Sequence, residues 1–416
     1  MIHNREVLVP RATIERGAVV EAVERALGPG ALRWCISKAD DRDLHVEATI
    51  WDDRPAADHA DVTTQVFPGR SVVVSVVPTG IGCSIGGYAG DACPASALLA
   101  ASADYLVTHP NALNASNFIS TPPNLLYTEG YTLDLFMRGA VNLYRPYRNK
   151  IGLVVEKVGR AELDVVFNVI NTVRAVHGVD IEHVVITDEK IGGRCLRTPS
   201  GAYVGTVERP RVLFDACETL ISRGVDAIAI TSNIEGLPTD DYALHFRGEH
   251  PNPVGGVEAI LSHIVSSRYG IPAAHGPMIN FKNFSLERPV VDARGAGEIS
   301  SVSGLACVLV GLRAAPQFAS ARTRCADAIN LNNVVAVVAP ASALGGVPML
   351  CAEQRGIPII AVRDNRTILD VTAARLGLSN VIEASSYAEA AGLVLALTRG
   401  ISLASIRRPL SSVTYT

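Results

Sequence analysis

Two histidines close apolar runs in positions that suit acid–base chemistry. His109 ends ADYLVTHPN and His275 ends the AAH of GIPAAHGPM, each at the tip of a predicted strand. A histidine there titrates near neutral pH and can give or take a proton. A histidine that merely ties down a proline turn fits the same places. Glu258, just beyond a diglycine, is a further proton-handling candidate. Cys83 lies inside a glycine loop near a predicted helix start, which would lower its thiol pKa and favour a nucleophile. No motif pairs it with a base, so a small space-filling residue is the other reading. Asn111 and Asn114 follow His109 in HPNALN and could orient a polar substrate.

Three glycine pairs surround these residues. They occur in PTGIGCSIGG (78–87), HPNPVGG (250–256) and PASALGG (340–346), each before a predicted helix. Paired glycines let a ligand approach the unpaired N–H groups of a helix's first turn. Those groups and the helix dipole favour an anion. The expected binding set is Thr79, Gly82, Gly86, Gly87, Asn111, Asn114, Asn252, Gly255, Gly256, Gly345 and Gly346. Arg363 and Asn365 of VRDNRT join it, since arginine suits carboxylate or phosphate. The plainer alternative is that the glycines only permit close packing.

No resident cofactor is expected. Gly80, Gly82 and Gly86 give G-x-G-x-x-x-G, one residue longer than the dinucleotide fingerprint. The strand that follows ends in Thr108-His109-Pro110 rather than an acidic residue, so NAD stays a lesser alternative. DDYALHFRGEH (240–250) could offer His245 and His250 to a divalent metal. A lid carrying Arg247 is the preferred reading of that stretch.

The elements that must position these groups alternate. Strands near 71–77, 105–109, 151–158, 181–189, 225–233, 332–340 and 357–364 are separated by helices near 92–102, 160–177, 208–223, 256–268, 300–313 and 345–355. Such alternation predicts an α/β fold with two Rossmann-like domains, mostly parallel sheets and an interdomain cleft. The expected boundary falls in YRPYRNK, dividing residues 1–148 from 149–416. TPPNLLYTEGYTLDLFMRG (121–139) is expected to wrap the surface, and 279–298 to form a loop of functional length.

Hydrophobic residues make up 48% of the 416 and charged residues 19%, as in a well-buried globular protein. The net charge of −4 gives no reason to expect nucleic acid or membrane as a partner. The eight cysteines are scattered without a CxxC pair and read as reduced thiols. With no signal peptide evident, a cytoplasmic protein is expected, and a homo-oligomer is compatible with the sequence.

PTGIGCSIGGYAGDACPASALLA, NPVGG, LLYTEGYTLDLFMRG and ALGGVPMLCAEQRGIPIIAVRDN together resemble an uncharacterised family of soluble α/β proteins of unknown function. That resemblance implies no activity and assigns no catalytic residue. The C-terminal GG-x₉-RGIPIIAV is also similar to the donor-binding unit of two-Rossmann-domain glycosyltransferases and of sugar-nucleotide epimerases. Gly345, Gly346, Gly356 and Pro358 carry that likeness.

The expected function is that of an enzyme acting on a small anionic metabolite, by isomerase, lyase or hydrolase chemistry through His109 and His275. A transferase with a nucleotide-linked donor, or a non-catalytic ligand-binding protein, are the alternatives.

Overall fold

A computed structural model of the chain describes residues 1–15, 17–52, 70–113, 122–237, 239–278, 290–300, 304–323 and 327–414. Asn114 and most of the expected 279–298 loop lie outside them.

The fold is α/β, built on two parallel sheets. Six strands form the larger, in the order Val381–Ala384, Ile359–Val362, Val334–Pro340, Val72–Ser75, Tyr105–Thr108 and Leu125–Tyr127. All five pairings in it are parallel. Four strands form the other: Ala273–Pro277, Ala227–Ser232, Lys150–Val155 and Asp180–Ile186, also parallel throughout.

These strands are short runs of Val, Ile, Leu and Ala because both faces are covered. Val72 and Val74 belong to one apolar cluster while Val73 belongs to another. Ile228 and Ile230 divide from Ala227 and Ala229 in the same way. Alternate residues point to opposite faces, so each sheet is a partition between two cores.

The boundary expected at 148–149 does not divide the hydrogen bonding. Val72–Ser75 pairs with Val334–Pro340, so the larger sheet takes strands from both sides of it. Residues 150–277 contribute the smaller sheet between those two contributions.

Three antiparallel strands precede this framework, ordered Ile2–Pro10, Asp43–Trp51 and Ala31–Ala39. This sheet is fixed to the rest where the Ile36 N–H donates to the Gly345 carbonyl (3.0 Å) and the Asn4 amide donates to Gly205 (3.1 Å).

Residues 121–139 do not wrap the surface. Their described part holds the strand Leu125–Tyr127 and the helix Gly130–Arg138, in which Tyr131, Leu133, Leu135, Phe136 and Met137 are buried. Arg138 is held by Glu24, and Gly139 ends the helix in the left-handed conformation. The expected lid contains a short helix, Thr239–Phe246, whose His245 is buried while Arg247 is exposed.

Candidate functional site

The ends of strands from both sheets converge on a cavity of about 430 Å³. Val76, Pro78 and Thr79 follow one strand; His109, Pro110 and Asn111 follow the next; Glu129 and Gly130 follow the third. His275, Gly276 and Pro277 come from the smaller sheet. The carboxyl edge of parallel strands is where α/β folds gather ligand-binding loops. The antiparallel sheet closes one side with Arg33, Trp34, Cys35 and Ile36.

Two helices supply further walls, and their periodicity explains which residues they present. Gly255–Tyr269 contributes Gly255, Glu258, Ala259, Ser262 and His263, a single face at helical spacing. Gly130–Arg138 contributes Gly130, Leu133 and Asp134 in the same manner.

His275 sits at the centre of a three-residue line. Its Nε2 is 2.9 Å from Ser232 Oγ, and its Nδ1 is 3.4 Å from Glu258 Oε1. With Glu258 ionised, the consistent arrangement has Nδ1–H facing the carboxylate and the Ser232 hydroxyl donating to Nε2. The residue types are those of a nucleophilic triad, but the exposure is reversed. Ser232 is fully buried and does not line the cavity, and the His275 side chain is sealed. Glu258 remains 22% exposed. The carboxylate is therefore the end of the line that can meet a ligand.

The other histidines are also engaged. His109 Nε2 accepts from the Val77 N–H at 2.9 Å, which leaves the ring proton on Nδ1. Burial, aided by His263, pulls its pKa down to about 4, so at neutral pH it is an uncharged donor rather than a base. His263 Nδ1 lies 2.8 Å from Glu129 Oε2. Glu129 also caps its helix, accepting from the N–H groups of Tyr131 (2.9 Å) and Thr132 (2.5 Å). Burial opposes its ionisation, but the His263 ring and these hydrogen bonds outweigh that and hold its pKa below the usual range. Asp134 makes no such set of bonds, and burial pushes its pKa up to about 6 against the pull of Arg138, His263 and Arg33.

Nine of the expected site residues line this cavity: His109, His275, Glu258, Thr79, Asn111, Asn252, Gly255, Gly345 and Gly346. The others do not. Cys83 is buried, its Sγ–H donates to the Pro78 carbonyl (3.3 Å), and burial drives its pKa upward, the reverse of an activated thiol. Arg363 is exposed, 3.9 Å from Glu383. Asn365 is buried as a clamp on the glycine loop, bonded to both backbone groups of Ile85 and to the Tyr387 hydroxyl.

The glycines serve packing. Gly82 lies against Pro251, Gly86 against Val77, and Gly87 against the Cys83 carbonyl. No helix begins at the first pair; the next one starts at Cys93. At the second, a side chain on Gly255 would collide with Thr79 Oγ1 and one on Gly256 with the Tyr203 carbonyl. At the third, one on Gly345 would meet the Ile36 carbonyl. The second and third pairs thus reach the cavity region by letting backbone segments approach.

His245 and His250, weighed as metal ligands, are joined otherwise: His245 Nδ1 is 3.2 Å from the His250 carbonyl, and its ring stacks on Tyr88 at 4.3 Å. No cluster of three or more His, Cys, Asp or Glu side chains arranged for a metal occurs among the described residues.

Several lining residues carried no readable signal. Glu129 with Asp134, Arg33 with Trp34, and Glu298, Tyr242 and His263 singly meet here from five elements. His263 sits inside an apolar helix and Glu129 in a turn, so neither spacing pointed to the other. Arg33 is the cavity's one arginine or lysine among the described residues, and Glu129, Asp134, Glu258 and Glu298 line the cavity with it. Four carboxylates to one guanidinium give the lining an excess of negative charge.

Residues 72–407 match a family described as protein of unknown function, DUF3326. This chain belongs to that family. The chain is also 36% identical over 344 residues to an uncharacterized lipoprotein of Synechococcus sp., covering 81% of this chain and 94% of the relative. No solved structure matches. The relative's name overturns the expectation of a cytoplasmic protein, since a lipoprotein is attached to a membrane by its lipid. No helix among the described residues is long and apolar enough to cross a membrane. The DUF3326 match begins after the antiparallel sheet, so Arg33, Trp34, Cys35 and Ile36 are cavity walls outside the matched span.

Proposed function

We propose that this DUF3326 protein is an enzyme that transfers a proton on a small polar molecule, uncharged or cationic at its reacting end. The observation that carries the reading is the Ser232–His275–Glu258 line, which ends in a carboxylate open to a cavity of 430 Å³. That volume is in the range of small-molecule sites. Glu258 takes or returns the proton, and His275, held by Ser232, fixes the carboxylate and spreads its charge. His109 Nδ1–H and the Asn111 amide lie beside the cavity as uncharged polar groups. Tyr242, Phe246, Trp34 and Met349 provide apolar wall for the rest of the ligand.

A second reading has its own observation. Two of the three cavity histidines are already hydrogen-bonded within the protein, His109 to Val77 and His275 to Ser232 and Glu258, and His263 Nδ1 lies 2.8 Å from Glu129 Oε2 without the alignment of a hydrogen bond. A site so satisfied suits binding without turnover. A heat-shift screen with amines, polyols, amino acids, monocarboxylates and phosphate esters tests the ligand class, because a bound ligand stabilises by mass action. Amines or polyols that shift the midpoint support the cavity assignment; shifts confined to phosphate esters refute it. Following each hit by NMR at saturating ligand then separates enzyme from binder: Glu258→Gln should stop conversion of the bound ligand.

A further inference from the structure

The main cavity holds a second histidine–carboxylate couple, and its exposure is the reverse of the first. In the Glu258–His275 couple the carboxylate is open and the ring is sealed. In the Glu129–His263 couple the carboxylate is the sealed member, 2% exposed, while the ring is 9% exposed and lines the cavity. Glu129 accepts from the N–H groups of Tyr131 and Thr132 and from the Thr132 hydroxyl (2.6 Å), so it is an anion fixed in place.

The ring is placed from both of its edges. Nδ1 is buried and lies 2.8 Å from Glu129 Oε2. The Cε1–Nε2 edge passes over Gly130, where a side-chain carbon would come within 2.8 Å of Cε1 and 3.1 Å of Nε2. Gly130 itself lines the cavity. Among the described residues Nε2 has no hydrogen-bond partner. A proton on Nδ1, facing the anion, leaves Nε2 as the nitrogen that can exchange a proton with a guest. The other titratable groups about the ring are Asp134 and His109, the latter kept uncharged by burial.

We propose that His263 is the second acid–base residue of this cavity, opening Nε2 to the same ligand as Glu258, with Glu129 as its positioning residue. His263 and Glu258 stand on the one helix Gly255–Tyr269, five residues or about 7.5 Å apart along its axis. Ala259 and Ser262, between them, line the cavity too, so one continuous strip of wall carries both groups. This rests on the proposed function in one respect, the reaction it names: an isomerisation that needs no co-reactant. A C–H proton of the ligand passes to the Glu258 carboxylate, and the electron pair of that bond stays with the ligand and shifts to another atom. That atom takes the proton held on His263 Nε2, and exchange with solvent restores both side chains. Glu129 holds the ring and offsets its charge while Nε2 carries the proton.

Diethylpyrocarbonate, which acylates an accessible unprotonated imidazole nitrogen, tests this on the full chain by peptide mapping between about pH 5.5 and 8. His263 should label within about tenfold of the half-exposed His3, while the sealed His275 waits for denaturant. Glu129→Gln can still cap the helix but removes the negative charge beside the ring. His263 labelling should then extend to lower pH by about one unit. A His263 that labels only in denaturant, or an unchanged pH profile in Glu129→Gln, overturns the proposal. Should Glu129→Gln not fold, Gly130→Ala replaces it: the added methyl presses on the Nε2 edge and should slow His263 labelling at least tenfold. An unslowed rate there is equally fatal. Each amine or polyol that shifts the melting midpoint of the natural chain should also protect His263, and a shift without protection overturns the shared ligand. No shift with any of them fails the main reading alone and leaves the labelling result standing.

Discussion

Glu258 and His275 meet at 3.4 Å across the edge of the main cavity, with the carboxylate partly open and the ring fully sealed behind it. The pair resembles half of a hydrolytic triad, but Ser232 is on the buried side. Ser232→Ala should therefore leave ligand conversion within about tenfold of the natural chain, whereas Glu258→Gln should lower it by the 10²–10⁴ typical of a lost general acid–base group. Side-by-side rates on one substrate decide this. A Ser232→Ala loss equal to that of Glu258→Gln would restore serine as nucleophile.

His109 gives a pH signature of folding. Its folded pKa, about 4, lies below the ordinary 6.5, so the folded chain binds fewer protons than the unfolded chain between those values. The resulting contribution to stability is full above pH 6.5 and fades as pH falls through 4. Asp91 and Asp134, both raised to about 6 by burial, act with the opposite sign between 3.8 and 6. The comparison with His109→Gln isolates the histidine. From pH 7 to 4 the natural chain should lose about 3 kcal/mol more than the variant in denaturant titrations.

The glycine pairs predict a graded response. A side chain on Gly255 collides with a hydroxyl at the end of Thr79, whereas one on Gly345 collides with the Ile36 backbone carbonyl. Gly255→Ala should cost about 1–3 kcal/mol, and combining it with Thr79→Ala should recover part of that cost. Gly345→Ala should cost more and find no such rescue, because it also disturbs the Ile36 N–H to Gly345 carbonyl bond. Equal recovery in both cases would show that these contacts do not limit packing.

Cys83 should be inert in the folded chain. Its thiol is buried and bonded to Pro78, and burial disfavours the thiolate. Iodoacetamide at pH 8 followed by peptide mapping should find Cys83 unmodified until denaturant is added. Rapid labelling of the native protein at that residue would contradict the buried site.

Much of the fold was legible because both parallel sheets are doubly covered. The runs VVVS, AIAITS and VVAVVAP read as buried strands, and Arg160–His177 as an amphipathic helix. Strand partnership was not legible: nothing in periodicity says that Val72–Ser75 lies beside Val334–Pro340, on the far side of the expected boundary at 148–149. The strand Ile2–Pro10 escaped notice because Arg5 and Glu6 occupy its exposed middle. At the site, residues that end strands were visible as a class. Glu129 and His263 were not, since they pair over a long separation from a turn and a helix interior. The glycine pairs were conspicuous, and the structure shows at them the close approach of neighbouring atoms that a side chain would block.

The measurement that bears most directly on the central claim is the heat shift produced by amines, polyols and amino acids in the natural chain and in Glu258→Gln. The cavity reading predicts saturable shifts in the natural chain, reduced at least tenfold in apparent affinity for cationic ligands when the carboxylate is neutralised. Unchanged shifts in Glu258→Gln, or shifts produced by phosphate esters alone, would contradict it.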